Sequence, residues 1–305
     1  MTRQTAGQSS SMRHRARRAW EHPARQTAQN YAMRLAPFRW LARRFHRTGA
    51  MGDPEIVVDR ALRVVDAART GATPISGARL VEIGPGHTLG LAISLLLAGA
   101  ARVEAVDTVR YAASQPDPRS FTELWRRATE AGFVDPTDVA DPEAELARAA
   151  TRLEYRVVDG REGWPFPEQS KDIVYSFSVL EHVRDLRGLL EESARVLQPG
   201  GLSIHTIDLR DHYNLGLGEN WLEFLEFDDR QWERMTSARS AWCNRMRAPE
   251  LHELFAEIFE LVEFSEETSD LPIGFDHRRV ASRFQGFGPE ELSVSSVSVV
   301  ARRRE

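Results

Sequence analysis

Apolar positions along this chain change rhythm once, near residue 79. Before that point they recur every three or four places. Leu35, Phe38, Leu41 and Phe45 follow this spacing between Tyr31 and Arg47, interleaved with Arg34, Arg39, Arg43, Arg44 and Arg47. The spacing predicts a basic amphipathic helix over Tyr31–Arg47. The opening residues, MTRQTAGQSSSM, have no periodicity and predict a disordered start. After the break GAMGDP, Asp53-Pro54 predicts the start of a helix running to about Thr70. From Arg79 onward short apolar runs alternate with helical patterns. Strands are expected at Arg79–Ile83, at Arg102–Val106 (closing on Asp107), at Leu153–Val158 (closing on Asp159), at Asp172–Phe177, at Leu202–Ile207, near Leu261–Phe264 and at Val294–Ala301. Helices are expected at His87–Gly99, at about Asp185–Leu197 and at Pro249–Phe259. This alternation predicts an α/β fold: a doubly wound, mostly parallel seven-stranded sheet with an N-terminal helical extension and helical insertions.

Residues 1–50 are expected to form a basic extension and residues 51–305 one domain, with insertions at about 108–152 and 208–248. Loops at the carboxyl ends of parallel strands are where such sheets bind ligands. Charge sharpens this division. The net charge is −5, yet residues 1–50 hold eleven arginines against one acid, Glu21, a balance of +10 that leaves −15 on the rest. A front of that sign suits packing on the acidic body as a lid, with an anionic membrane surface as the alternative partner. Nucleic acid is disfavoured, because the body is acidic and the front carries no stacking platform or RNA-binding motif. Lys171 is the one lysine among 40 basic residues, a compositional bias rather than chemistry. Cys243 is the one cysteine, which excludes an internal disulfide or a cysteine-built zinc site. It predicts a small buried hydrophobe in a reducing, cytoplasmic compartment. The apolar run Leu89–Ala101 falls short of the roughly 20 residues of a membrane span.

The first strand ends in VEIGPGHTLG, Val81 to Gly90. Gly84 and Gly86 permit a tight turn and close backbone approach to a ligand, with the N–H groups of the next helix directed at it. Asp107, closing the second strand, is placed to accept from both hydroxyls of a ribose. Two features separate the candidate nucleoside cofactors. The dinucleotide fingerprint needs a glycine where Leu89 stands, so a nicotinamide oxidoreductase is disfavoured. Glu82 precedes the first glycine, and a buried carboxylate there repels a pyrophosphate but suits an ammonium group. Asp159, in VVDG, closes the third strand where an adenine amino group needs an acceptor.

With these motifs in order, residues 79 to about 206 resemble a class I S-adenosylmethionine-dependent methyltransferase of the broad type 11 group. The resemblance rests on VEIGPG, Asp107 in AVD and Asp159 in VVDG. It continues with WPFPEQSKDIVYSFSVLEHV from Trp164 to Val183, and with RVLQPGG from Arg195 to Gly201. It implies S-adenosyl-L-methionine as cofactor. Glu82, Gly84 and Gly86 would hold the methionine end, Asp107 the ribose, and Asp159 with Gly160 the adenine. Ser176 and Phe177 would line the methionine side. Two departures stand out. His87 and Thr88 occupy places where many relatives have a small residue and a glycine. Ser178 replaces the first glutamate of a metal-binding EMLEHV, so no metal is expected.

Methyl transfer from a sulfonium needs alignment above all, and a hydroxyl acceptor gains from a general base. Three histidines fall near the carboxyl edge: His182, His205 and His212. His205 alternates within a strand and is expected to be structural. His212, in DLRDHYN just past the fifth strand, is the first choice for the base, with His182 second. The following insertion is aromatic (Tyr213, Trp221, Phe224, Phe227, Trp232, Trp242), and its helical spacing predicts core packing, with a lid as the alternative. Asn244-Arg245-Met246-Arg247 resembles an NRLR element of bacterial relatives. A small-molecule or glycan acceptor, methylated on oxygen, is the expected substrate. The alternative is a nucleic-acid- or membrane-associated binding protein that uses a methyltransferase-like domain.

Overall fold

The computed structural model describes residues 23–35, 37–38, 53–110, 118–135, 137, 141–158, 163–212, 220–239 and 242–305. They fall into two compact units. The larger comprises described residues within 47–209, 246–270 and 290–305, and the smaller those within 1–46, 210–245 and 271–289. Among the described residues no helix is long and apolar enough to cross a membrane.

In the larger unit seven strands form one sheet: β1 (Arg79–Ile83), β2 (Arg102–Asp107), β3 (Leu153–Val157), β4 (Lys171–Phe177), β5 (Leu197–Asp208), β6 (Glu260–Thr268) and β7 (Val294–Arg302). Their spatial order is β3-β2-β1-β4-β5-β7-β6. β7 runs antiparallel to both β5 and β6, and the remaining neighbours pair in parallel. Helices α1 (Pro54–Thr70), α2 (Gly90–Leu97), α3 (Pro118–Glu130), α4 (Pro142–Thr151), α5 (Leu186–Val196) and α7 (Ala248–Ile258) belong to this unit, and α6 (Asp229–Thr236) to the smaller one. Strand side chains alternate between two hydrophobic layers. Leu80, Ile173, Tyr175, Phe177 and Ile204 pack with α1, α2 and α4. Val81, Ile83, Val174 and Ile207 pack with α5 and α7.

Several elements follow directly from local chemistry. Asp53 caps α1 by accepting from the Glu55 N–H at 3.0 Å, with Pro54 in the first turn. The buried stripe Val57, Ala61, Val64, Ala68 then recurs at helical spacing against the sheet. Other boundaries depart from expectation. Helix α2 begins at Gly90 rather than His87, because the glycine turn uses residues up to Leu89 before helical geometry starts. Strand β5 begins at Leu197, which pairs with Lys171 ahead of a register shift, so the Pro199-Gly200-Gly201 turn becomes a distortion inside the strand.

In the smaller unit residues 23–33 are helical, and the helix ends where Ala36-Pro37 approaches. The helix expected at Tyr31–Arg47 is therefore displaced toward the N-terminus over its described part, and residues 39–47 lie outside the described residues. Tyr31, Leu35 and Phe38 are exposed. Asn30 is fully buried, and its side chain closes the end of α6, donating to the Arg234 carbonyl at 2.9 Å and accepting from the Ala238 N–H at 2.7 Å. Phe224, Leu225 and Trp232 are buried, as core packing of the aromatic insertion requires. Arg245 lies between the Trp232 and Phe284 rings and donates to the Phe224 and Phe227 carbonyls. Two residues on, Arg247 is buried in the larger unit and donates to the Leu209 and Val294 carbonyls at 2.8 and 2.6 Å. Arg245 thus holds a turn within the smaller unit, and Arg247 the residue after β5 and the start of β7 within the larger one.

Candidate active site

Strand parity assembles this site. Glu82 on β1 stands in register with Ala105 on β2 and Tyr175 on β4. Because side chains alternate, Glu82, Asp107, Tyr175 and Phe177 all point to one face of the sheet at its carboxyl end. Glu82 is only 2% exposed, and the Tyr175 hydroxyl donates to its Oε2 at 3.3 Å. Burial pushes the Glu82 carboxyl up to about 8, against the pull of the Tyr175 hydrogen bond and the Arg60 charge, while Asp107 adds to the rise.

The chain leaves β1 through Gly84 and Gly86, at φ +65° and +70°, in the left-handed region that glycine enters without strain. The Gly84 N–H donates to the Val106 carbonyl at 2.8 Å, extending the β1–β2 ladder by one bond. A Cβ at Gly84 would stand 2.7 Å from a methyl group of Val179, so the turn is walled on that side by the segment after β4. Asp107 accepts from the Val109 N–H at 3.2 Å, and burial raises its pKa while the Thr108 and Val109 N–H groups and the His87 charge oppose the rise. This carboxylate is held by its own turn at the end of β2.

At the end of β4 the sequence-derived lining residues separate. Phe177 is buried on the same face as Glu82, with the Arg60 guanidinium 5.4 Å from its ring centroid. Ser176 points to the opposite face, where its Oγ lies 2.7 Å from His205 Nδ1; His205 Nε2 lies 2.7 Å from Ser203 Oγ. The Ser176 side chain is thus occupied inside the sheet. His205 is the structural residue its alternation predicts: burial lowers its pKa to about 3, and its ring lies 5.8 Å from that of Phe255, tilted 47° to it. Ser178 then takes φ +53°, a strained conformation for a non-glycine residue, with its N–H donating to the Thr206 carbonyl at 2.8 Å.

Beyond Ser178 a short turn, Leu180–His182, carries two more polar groups. Glu181 is buried, and burial pushes its carboxyl well above the usual carboxylate range, against the pull of the Glu181 and Asp208 backbone N–H groups and the Arg60 charge, while the Asp208 charge adds to the rise. His182 is half-buried, with its backbone N–H bonded to the Val179 carbonyl at 2.9 Å. His212 lies four residues past β5 in the smaller unit and is half-buried. Asp159 and Gly160 lie outside the described residues. Sequence patterns miss three members of the group, Arg60, Tyr175 and Glu181. Tyr175 was accessible by counting in twos from Phe177. Arg60 carried no signal, since an arginine on an amphipathic helix looks like any solvated face.

A family model described as a methyltransferase domain matches residues 59–262, two thirds of the chain. No curated protein matches. Among solved structures, the chain is similar to geranyl diphosphate C-methyltransferase from Streptomyces coelicolor A3(2), at 18% identity over 80% of this chain and 77% of that one, with a TM-score of 0.47. An S-adenosylmethionine-dependent methyltransferase from Mesorhizobium loti shares 20% identity over 78% and 96%, at a TM-score of 0.43. The cyclase SpnF shares 17% identity over 79% and 81%, at a TM-score of 0.42.

Proposed function

We propose, from the premise that this chain belongs to the methyltransferase-domain family, that it methylates a hydroxyl of a small-molecule or glycan acceptor. It is an S-adenosylmethionine-dependent methyltransferase. The observation that carries the cofactor assignment is the shared face of Glu82 and Asp107, flanking a turn with two left-handed glycines. Its donor set fits the group. A buried acid suits an ammonium, a turn-held aspartate suits paired ribose hydroxyls, and neither suits a pyrophosphate.

In this assignment Glu82 and the Gly84–Gly86 backbone hold the amino-acid end, Asp107 the ribose, and Asp159 with Gly160 the adenine. Phe177 closes the apolar wall beside the amino-acid end, while Ser176 contributes through its backbone. When bound, the cofactor supplies an activated sulfonium methyl group that moves by in-line displacement. The protein's part is to exclude water, align the acceptor oxygen and accept the proton it loses. We assign that proton to His212, with His182 as the second choice, because an imidazole nitrogen can accept the proton of an attacking hydroxyl.

The test incubates the protein with methyl-labelled cofactor and a crude extract of small molecules and glycans, then identifies the labelled product. Label in a methyl ether supports the proposal, and label on carbon or nitrogen overturns the choice of acceptor atom. His212→Ala is expected to lower kcat about a hundredfold or more. An unchanged kcat moves the role to another group.

A further inference from the structure

We propose that Tyr155 on β3 is a positioning residue for the cofactor: through Val109 it fixes the Asp107 carboxylate in the orientation that meets the ribose. This rests on the cofactor assignment above. Tyr155 stands in register with Ala105, and Asp107 is two residues further along β2. Alternation therefore puts the Tyr155 ring on the face that carries Asp107 and Glu82. Its hydroxyl reaches past the end of β2 and donates to the Val109 carbonyl at 3.1 Å. The N–H of that same residue donates to Asp107 Oδ1 at 3.2 Å. Both backbone groups of Val109 are thus engaged, one by the carboxylate and one by the phenol.

An aspartate that accepts from the N–H two residues on makes an Asx turn, a local closure that nothing else in the strand secures. Asp107 and Val109 are half-buried, and Thr108 and Arg110 beside them are exposed. The order of such a turn depends on groups from neighbouring elements, and β3 is the strand next to β2 at this edge of the sheet. Tyr155 is itself held. Its ring packs against the Leu89–Ala105 pair, and the Arg110 guanidinium carbon lies 5.2 Å from its centroid. Leu89 is the buried last residue of the glycine turn, immediately before α2. One side chain therefore borders the turn after β1 and bonds the turn after β2. The leucine that stands in place of a fingerprint glycine gives the tyrosine part of its seat.

Calorimetry with S-adenosylhomocysteine across a double-mutant cycle separates this role from a merely structural one. Tyr155→Phe keeps the ring and removes the donor. It is expected to weaken binding about three- to tenfold, the worth of a neutral hydrogen bond. In an Asp107→Ala background no carboxylate remains to be oriented, and the same change is expected to stay within about twofold. A merely structural tyrosine would weaken binding equally in both backgrounds. Equal losses in the two backgrounds, or a loss under about twofold where Asp107 is intact, overturn the proposal. Should Tyr155→Phe fail to melt cooperatively, Tyr155→Met, which also lacks the hydroxyl, carries the same cycle. Failure of the parent protein to bind S-adenosylhomocysteine overturns the cofactor assignment itself, a distinct outcome.

Discussion

Replacing Gly84 with alanine isolates the geometric demand of the turn after β1. The substitution acts twice. Gly84 sits at φ +65°, where an L-residue pays about 1–2 kcal/mol. The new methyl also falls 2.7 Å from one Val179 methyl and 3.0 Å from the other, an overlap of the kind that costs about 1–3 kcal/mol in packed interiors. The sum is about 2–5 kcal/mol, read as a drop in urea midpoint at constant m. The two parts separate in a double-mutant cycle with Val179→Ala, which removes the methyl groups being struck. Val179 is partly buried, so its truncation alone costs about 1 kcal/mol. The double variant is expected to recover about 1–3 kcal/mol relative to additivity, leaving the backbone term behind. Strict additivity refutes the contact, and a stability of Gly84→Ala equal to the parent refutes both parts.

Three further expectations follow from buried groups. Glu82, raised to about 8 from an ordinary 4.5, contributes stability that is complete below about pH 4.5 and declines as pH rises toward 8. Glu82→Gln should therefore unfold about 1–3 kcal/mol harder than the parent at pH 7 and bind S-adenosylhomocysteine more weakly; equal or lower stability contradicts the protonated state. His205 behaves in the opposite sense: its pKa falls to about 3, so the stability it contributes is complete above its unfolded value near 6.5 and is lost as pH falls from there toward 3. Urea midpoints taken between pH 7 and 4 should drop less steeply in His205→Asn, and parallel curves would refute the buried neutral imidazole. Arg247→Lys loses the fork that serves the Leu209 and Val294 carbonyls, and a cost of about 3 kcal/mol is expected in chemical denaturation, whereas a change under about 0.5 kcal/mol would show those carbonyls satisfied otherwise.

Much of the larger unit is legible in sequence because its signals are local. Asp53-Pro54 starts α1 at the expected residue, since a side-chain cap and a fixed proline φ act within one turn. The ends of β1, β2 and β4 agree with the motif residues Ile83, Asp107 and Phe177, because buried parallel strands demand continuous apolar runs. The orientation of Ser176 was available from the same alternation that identified His205, yet a motif assigns positions without assigning faces. Arg60 was hidden for a different reason. Its place depends on which strand α1 covers, a long-range fact that no periodicity encodes. The grouping of residues 271–289 with 210–245 and the N-terminal helix is equally non-local. Pro37 shows the reverse case, a local signal outranked in the reading by the longer apolar stripe around it.

The most direct measurement is a calorimetric titration of the folded, full-length chain with S-adenosylhomocysteine and, in parallel, with NADH. Saturable heat from the sulfur nucleoside at one site, weakened at least tenfold by Asp107→Ala, with none from NADH, is what a cradle of Glu82 and Asp107 on one face predicts. Heat from the dinucleotide and none from the sulfur nucleoside would contradict it.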